Sequence, residues 1–349
     1  MPRLRTLAVG AAAAPLLAIA GAAPASAHER WFVENAPGGD WGFFWSPLPL
    51  ALAALMVVVA VVWRLVALRL PVPELKVLAP IGRLAPYVPR LLAIHLGVSL
   101  LALAATGGFL SASVETADVP GGDLAVLVEG ALGVWFVTGI RLRAAAVGLV
   151  ALGPLVLASG GMVALFENAG LLGIAGFLAI LPPSDGTFGR VEATQGQLRA
   201  ALFTLRLGVA TALITLAFSE KFTNPALAHA TLEAYPSLDV FSWVGLEVSH
   251  DTFIAVAGSV ELLFGLLVLS GAMPQVATLV AAIPFNLTLL LFGQTELVGH
   301  LPVYGVFLTL LAYGSCPGTA ESVRWLPSVR GLTAVRRAGP EPAASRSAA

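Results

Sequence analysis

From Ser46 to Trp63 the chain runs without a single charged residue, and apolar tracts of this kind recur down to Ser315. A helix rises 1.5 Å per residue, so about 17–25 apolar residues match the hydrocarbon core of a bilayer. Of the 349 residues, 58% are hydrophobic and 11% are charged, where a soluble domain carries about 25% charged residues. An ordinary cytosolic enzyme is thereby excluded. Disorder, which needs low hydrophobicity, is excluded as well. The formal net charge of −1 offers no basic footprint, so nucleic acid is not an expected partner. Cys316 stands alone, which rules out an intrachain disulfide and a dithiol relay. The expected class is an all-α polytopic membrane protein whose first partner is the lipid bilayer.

The first 27 residues read as a signal peptide. Arg3 and Arg5 form the positive region, Leu7 to Ala20 the apolar one, and Pro24-Ala25-Ser26-Ala27 an A-x-A cleavage site. Cleavage leaves His28 at the mature N-terminus; the alternative is an uncleaved first span. Residues 28–45 then form an extracytoplasmic arm with Trp41 and Trp45 at the interface, and 46–69 the first transmembrane helix. A Pro/Arg-rich linker follows at 70–89. Further spans are expected near 90–111, 123–140, 143–164, 168–182, 200–218, 252–271, 274–292 and 300–315, nine in all.

Charge orients them. Arg64, Arg69, Lys76, Arg83, Arg90, Arg141, Arg143, Arg190 and Arg199 fall on one side, with the tail arginines, while Arg30 and Lys221 fall on the other. By the positive-inside rule the mature N-terminus is extracytoplasmic, the tail at 316–349 is cytoplasmic, and the location is the plasma membrane.

The eight later spans read as a tandem repeat. Val128-Glu129-Gly130-Ala131-Leu132-Gly133 aligns with Val260-Glu261-Leu262-Leu263-Phe264-Gly265, and Gly139 with Gly271, without a gap. His95-Leu96-Gly97-Val98 likewise pairs with Arg206-Leu207-Gly208-Val209. An even number of spans separates the copies, which makes the repeat parallel. The expected architecture is one leading span plus two four-helix bundles, at 90–182 and 200–315, joined by a cytoplasmic loop at 183–199.

Phe218-Ser219-Glu220-Lys221-Phe222-Thr223-Asn224-Pro225 resembles the "E-K-hydrophobic-x-N-P" exit from the first helix of DoxX/DoxD-like membrane proteins. Val260-Glu261-Leu262-Leu263-Phe264-Gly265-Leu266-Leu267 is similar to their second helix. The resemblance covers the second half well. It reaches the first half only through the repeat, where Glu115 stands in the region of the motif without a following Lys or Asn-Pro. It implies four-helix membrane bundles and an association, in some members, with quinone-dependent oxidation of sulfur compounds or with oxidative-stress assemblies.

Two groups of residues carry candidate chemistry. A mid-membrane carboxylate costs about 2.5–3.5 kcal/mol to insert, so Glu129 and Glu261 should face a bundle interior and find partners. They are the catalytic candidates, as a proton relay or as partners of a quinone headgroup, or else they bridge helices structurally. Glu261 and Arg206 are also the cofactor-binding candidates, and Arg206 partners Glu261 if their helices are suitably placed. The second group is extracytoplasmic: His28, His229, His250 and His300, with Glu220, Glu233, Glu247, Asp251 and Glu296 on the same side. Imidazole suits copper and zinc, and a free N-terminal His28 offers both its amine and its ring to one metal. His28, His300 and His250 are therefore the candidate copper ligands, although no short His-x-His spacing supports them. The bland alternative is interfacial histidines that bond loops.

The loop from Glu220 to Asp251 is expected to cap the second bundle as a surface excursion, as a re-entrant packing element or as a lid. His95 is expected to pack helices rather than hold a haem, and no phosphate-binding loop or haem-attachment motif occurs. The leading expectation is a redox-associated membrane subunit with a copper site, supporting a membrane or extracytoplasmic oxidoreductase. The alternatives are a quinone-reactive subunit acting on sulfur compounds, and a small-solute or proton-coupled transporter, for which Pro154 and Pro284 mark paired kinks.

Overall fold

A computed structural model describes residues 39–184 and 189–327, and the regular elements among them are helical. The expected signal peptide, the mature N-terminal His28 and the end of the tail lie outside the described residues. The first helix, α1 (Pro47–Ala67), opens on Ser46 with Pro47 in its first turn, a position where the missing N–H costs nothing. Next come α2 (Val88–Thr106) and α3 (Gly122–Thr138), each closed by a left-handed glycine, Gly107 and Gly139. Helices α4 (Leu142–Ala151), α5 (Gly153–Glu167) and α6 (Ala169–Ile180) complete the first half. Thr194 and Gln197 form a reciprocal capping box at the start of α7 (Gln195–Leu216). A π-helical segment, Ala217–Phe222, leads into α8 (Pro225–Ala234). The chain ends with α9 (His250–Ser270), α10 (Pro274–Phe292), α11 (Gln294–Ser315) and the short α12 (Ala320–Arg324).

Six of these helices are long and apolar enough to cross a membrane: α1, α2 with its preceding turn, α7 with the π segment, α9, α10 and α11. The protein is therefore a multi-pass helical membrane protein. The expectation of nine full spans differs from this in three places. Helix α3 has 17 residues and α6 has 12, both below that length. The stretch expected as one span at 143–164 is broken between α4 and α5 by a 51° bend, with Pro154 in the first turn of α5. Conversely, the last span is longer than hydropathy suggests. Helix α11 starts at Gln294 rather than near 300, because Glu296 and His300 are buried inside the protein.

The helices form two rows. In one, α9 lies between α1 and α7, and α6 lies between α7 and α4; in the other the order is α10, α11, α2, α3. Phe177 of α6 meets Tyr313 of α11 edge-on across the rows, and one hydrophobic core runs through both. The stretches 90–182 and 200–315 thus interlock: α6 packs on α7, and α11 packs on α2. Close crossings are made by glycine. A Cβ on Gly133 of α3 would sit 2.9 Å from the Gly97 carbonyl of α2, and one on Gly173 of α6 would sit 2.9 Å from the Leu205 carbonyl of α7. Small residues let helix backbones approach where lipid supplies no hydrophobic drive. Helix α1 lies outermost, turning Leu55, Val58, Val61, Val62 and Leu65 outward, as a lipid-facing helix should.

The two ends of the bundle differ. At the tail end, Trp63 Nε1 donates to the Ala272 carbonyl and Arg64 to that of Ser270, which ties α1 to the C-terminus of α9. Gln275, fully buried, bonds Leu75 through both its amide atoms and donates to Ser315 Oγ, so the linker, α10 and α11 meet there. At the opposite, lid end lie α8 and the loop that follows it.

Pro302 inside α11 has no N–H to give to the Val298 carbonyl one turn back. The buried Ser99 hydroxyl of α2 donates to that carbonyl at 2.8 Å instead. A buried carbonyl left bare costs about 1–3 kcal/mol. Ser99→Ala is therefore expected to destabilise the detergent-solubilised protein by about that amount in a chemical-denaturation titration. An unchanged midpoint would mean that the carbonyl finds another donor.

Candidate functional site

The site begins where α7 ends. The N–H of Thr223 reaches back five residues to the Phe218 carbonyl at 2.9 Å, and its hydroxyl donates to the same oxygen at 2.8 Å. This wide turn carries an extra residue, a frequent feature of functional sites. It buries Glu220, Lys221 and Phe222 in succession, which a lipid-facing α-helix would not do. Asn224 then caps α8 by accepting from the Leu227 N–H, and Pro225 occupies the first turn. Each letter of the Glu-Lys-x-x-Asn-Pro run thus has a local job: the charged pair points inward and Asn-Pro restarts the chain as a new helix. Behind the segment, Trp41 and Phe44 of the N-terminal arm stack against Phe218, and Phe44 also against Phe222, while the Asp40 N–H bonds the Thr223 carbonyl.

Lys221 Nζ donates to Glu220 Oε2 and lies 3.1 Å from both that oxygen and Glu261 Oε1 of α9. Side-chain exposure is 1% for Glu220, 8% for Lys221 and 32% for Glu261, so the pair is buried and Glu261 is its exposed edge. Ser219 Oγ donates to Glu167 Oε1 at 2.7 Å, bringing the end of α5 to the same place. On α11, His300 Nδ1 lies 3.1 Å from Glu296 Oε1 one turn back, and the Phe285 ring meets the imidazole edge-on. All of these groups except Ser219 border one cavity of about 460 Å³ at the lid end. Its walls are otherwise mainly apolar side chains of α7, α9, α10 and α11. Four carboxylates, one ammonium and one imidazole therefore face a space of the size that holds a small organic ligand.

The lid covers this space. Ala228, Thr231 and Leu232 of α8, then Leu238, Val240, Phe241 and Trp243, line the cavity. Of the three expectations for this loop, its place in the cavity lining fits the lid. His229 Nε2 lies 2.7 Å from Asp251 Oδ1, which holds α8 to the start of α9.

The sequence-derived candidates separate in space. Glu261 is on the cavity. Glu129 is buried but does not border it; its Oε1 accepts from the Leu110 N–H at 2.9 Å and ties down the loop after α2. Arg206 is not the partner of Glu261. Its guanidinium is spent on the carbonyls of Leu202, Leu269 and Trp325 at the tail end, eight residues and about 12 Å along α9 from Glu261. Gly271 makes room for it, since a Cβ there would fall 1.6 Å from Arg206 Nη1. Lys221 takes the place expected for Arg206.

The copper candidates do not assemble among the described residues. His300 sits inside the cavity wall with Glu296, whereas His250 lies at the start of α9 with its ring 5.5 Å from that of His229. No three of His, Cys, Asp and Glu among the described residues are grouped to hold a metal ion. His28 lies outside the described residues. His95 packs against Gly305 of α11 with Nδ1 on the Leu91 carbonyl, as a helix-packing residue. Glu167 belongs to the site without having been a candidate from sequence. Its signal was present, for it is the one charged residue between Arg143 and Asp185.

An apolar cavity carrying buried ionisable groups, within a helical bundle, is the candidate site of this multi-pass membrane protein. No family model, no curated protein and no solved structure matches this chain.

Because Asn224 caps the lid helix, Asn224→Ala is expected to cost about 0.5–2 kcal/mol of local stability. Hydrogen exchange should accelerate over 225–234 and stay unchanged over 250–270. Equal acceleration in both stretches would show that the cap serves the whole bundle rather than the lid.

Proposed function

We propose that this protein is a redox-associated subunit of the plasma membrane that binds a lipid-soluble quinone-class molecule in the lid-end cavity. The observation that carries the reading is the Glu220–Lys221–Glu261 cluster set in an otherwise apolar space of about 460 Å³. An amphiphile with a long apolar body and two head oxygens matches that division of chemistry. When bound, such a molecule supplies two-electron, two-proton redox chemistry. Lys221 would donate to a carbonyl oxygen of the head, Glu261 and Glu220 would accept protons beside it, and His300 with Glu296 would offer a second acid–base pair in the cavity wall. A partner oxidoreductase provides the other half of the electron exchange.

The DoxX/DoxD-like reading and the tandem repeat belong to this proposal, and the packing supports them. Helix α2 lies on α3 as α7 lies on α9, α4 on α6 as α10 on α11, and α6 on α7 as α11 on α2. Gly133 and Gly265 share one sequence offset with Gly173 and Gly305; the first two make close crossings within their own halves, and the last two make equivalent crossings from one half to the other. These crossings make Gly97 and Ala210 equivalent positions of the two halves, two positions from the register that aligns His95 with Arg206. In the same frame Glu129 is answered by a backbone N–H and Glu261 by an ammonium, so the second half carries the site. Kinked helices at matching depth, which a transporter built on the repeat would use, find less support. Pro154 opens α5 after a break, while Pro284 stays within a continuous α10.

Titration of the purified protein with a decyl-substituted benzoquinone, followed by calorimetry, tests the reading. Charge-assisted hydrogen bonds are worth about 1.5–3 kcal/mol, so Glu261→Gln and Lys221→Met should each weaken binding tenfold or more. Affinity unchanged in both variants, or no binding to the wild type, would contradict it.

A further inference from the structure

The rim of the cavity says where its ligand comes from. Among the residues that line it, four are exposed: Val240 (40%), Trp243 (53%), Val260 (37%) and Leu291 (36%). All four are apolar, although the interior they surround is the most highly charged part of the bundle. Two belong to the loop after α8, one to α9 and one to α10. Helix α10 leans mainly on α11 and touches α9 at few positions, yet residues of both α9 and α10 line the cavity. An opening onto water would carry a polar rim, whereas apolar groups around a mouth are at rest against acyl chains, and a tryptophan favours the level of the headgroups. The charged groups are held back from that rim. Glu220 and Lys221 are almost fully enclosed, and Glu261, on the turn next to Val260, is the member that looks toward the opening.

We propose that the cavity is loaded sideways from the bilayer, through the gap between α9 and α10 in the leaflet at the lid end, and that the lid excludes water rather than admitting ligand. This rests on the reading of the cavity as a ligand site, and it narrows the ligand to a lipid-dissolved amphiphile. Such a molecule slides in with its apolar body along Val260 and Leu291. Its head then reaches Glu261 first and the Lys221 ammonium behind it. The tail can remain in the leaflet, so its length is not limited by the cavity volume. The class includes prenylated or alkylated ring compounds and excludes small hydrophilic solutes.

The test uses a reporter thiol and no cognate ligand. Cys316 is the single cysteine, so Cys316→Ser gives a clean background. In it, Ala257→Cys places a thiol on the α9 wall of the cavity. The full-length protein in liposomes is exposed separately to N-decylmaleimide, which partitions into the bilayer, and to the small, permanently charged 2-(trimethylammonium)ethyl methanethiosulfonate supplied on both sides. The maleimide should label the thiol, and the charged reagent should not. Val260→Trp or Leu291→Trp at the rim should slow maleimide labelling tenfold or more, and Val61→Trp on the outward face of α1 should leave it unchanged. Rapid labelling by the charged reagent would overturn the proposal. So would rim tryptophans without effect, or a thiol that neither reagent reaches until the protein is denatured. Lateral labelling without benzoquinone binding would keep the portal and remove the quinone. Benzoquinone binding sensitive to Glu261→Gln, combined with labelling from water, would do the reverse.

Discussion

A lysine ammonium enclosed between two carboxylates is the interaction on which the lid end depends. Each of the three charges is costly to bury alone, and removing one partner from such a group typically costs about 3–5 kcal/mol. Lys221 offsets this by lying 3.1 Å from both Glu220 and Glu261, which joins the end of α7 to the middle of α9. The π turn exists to bring two consecutive charged residues inward. Once it does so, the chain must leave the helix, and Asn224-Pro225 starts the lid. The aromatic arm behind it, Trp41 and Phe44 on Phe218 and Phe222, holds the turn from the other side.

Much of the architecture is legible from apolar periodicity, because bilayer thickness sets helix length directly. What hydropathy misjudges are the places where polar residues face protein instead of lipid. Helix α11 reads short because Glu296 and His300 lower its score, yet they are buried at the cavity. The broken α4–α5 element reads as continuous because glycine and proline do not interrupt an apolar run. The site was half legible. Glu261 stands out as a carboxylate in an apolar helix, but its partner could not be read from sequence. Arg206 is the more conspicuous cation, and only the packing shows that it serves the carbonyls at the far end of α9, while Lys221 turns back into the bundle. Histidines counted along a loop gave no sense of depth: His250 and His300 lie at similar distances from span ends, but one sits at the helix start and the other in the cavity wall.

The two halves meet the same physical demand in different ways. Each has a glutamate in its second helix, ten residues before a left-handed glycine, and each glutamate must be satisfied in an apolar setting. In the first half a loop turns Leu110 into a positive-φ conformation and offers its N–H to Glu129, tying the carboxylate to backbone. In the second half a side chain answers Glu261, and a side chain can release one partner for another. A carboxylate paired with a side-chain ammonium beside an open space is what the proposed headgroup site requires, whereas the other carboxylate is held by backbone.

Everything at the lid end rests on the coupling of Lys221 to Glu261 inside the bundle. A double-mutant cycle of Lys221→Met and Glu261→Gln, read by chemical denaturation in detergent, tests it most directly. If the two residues hold one another, Lys221→Met alone should cost about 3 kcal/mol. The double variant should then cost less than the sum of the singles by about 1 kcal/mol or more. Additivity within about 0.5 kcal/mol would mean that they do not interact, and the account of the site would fail with it.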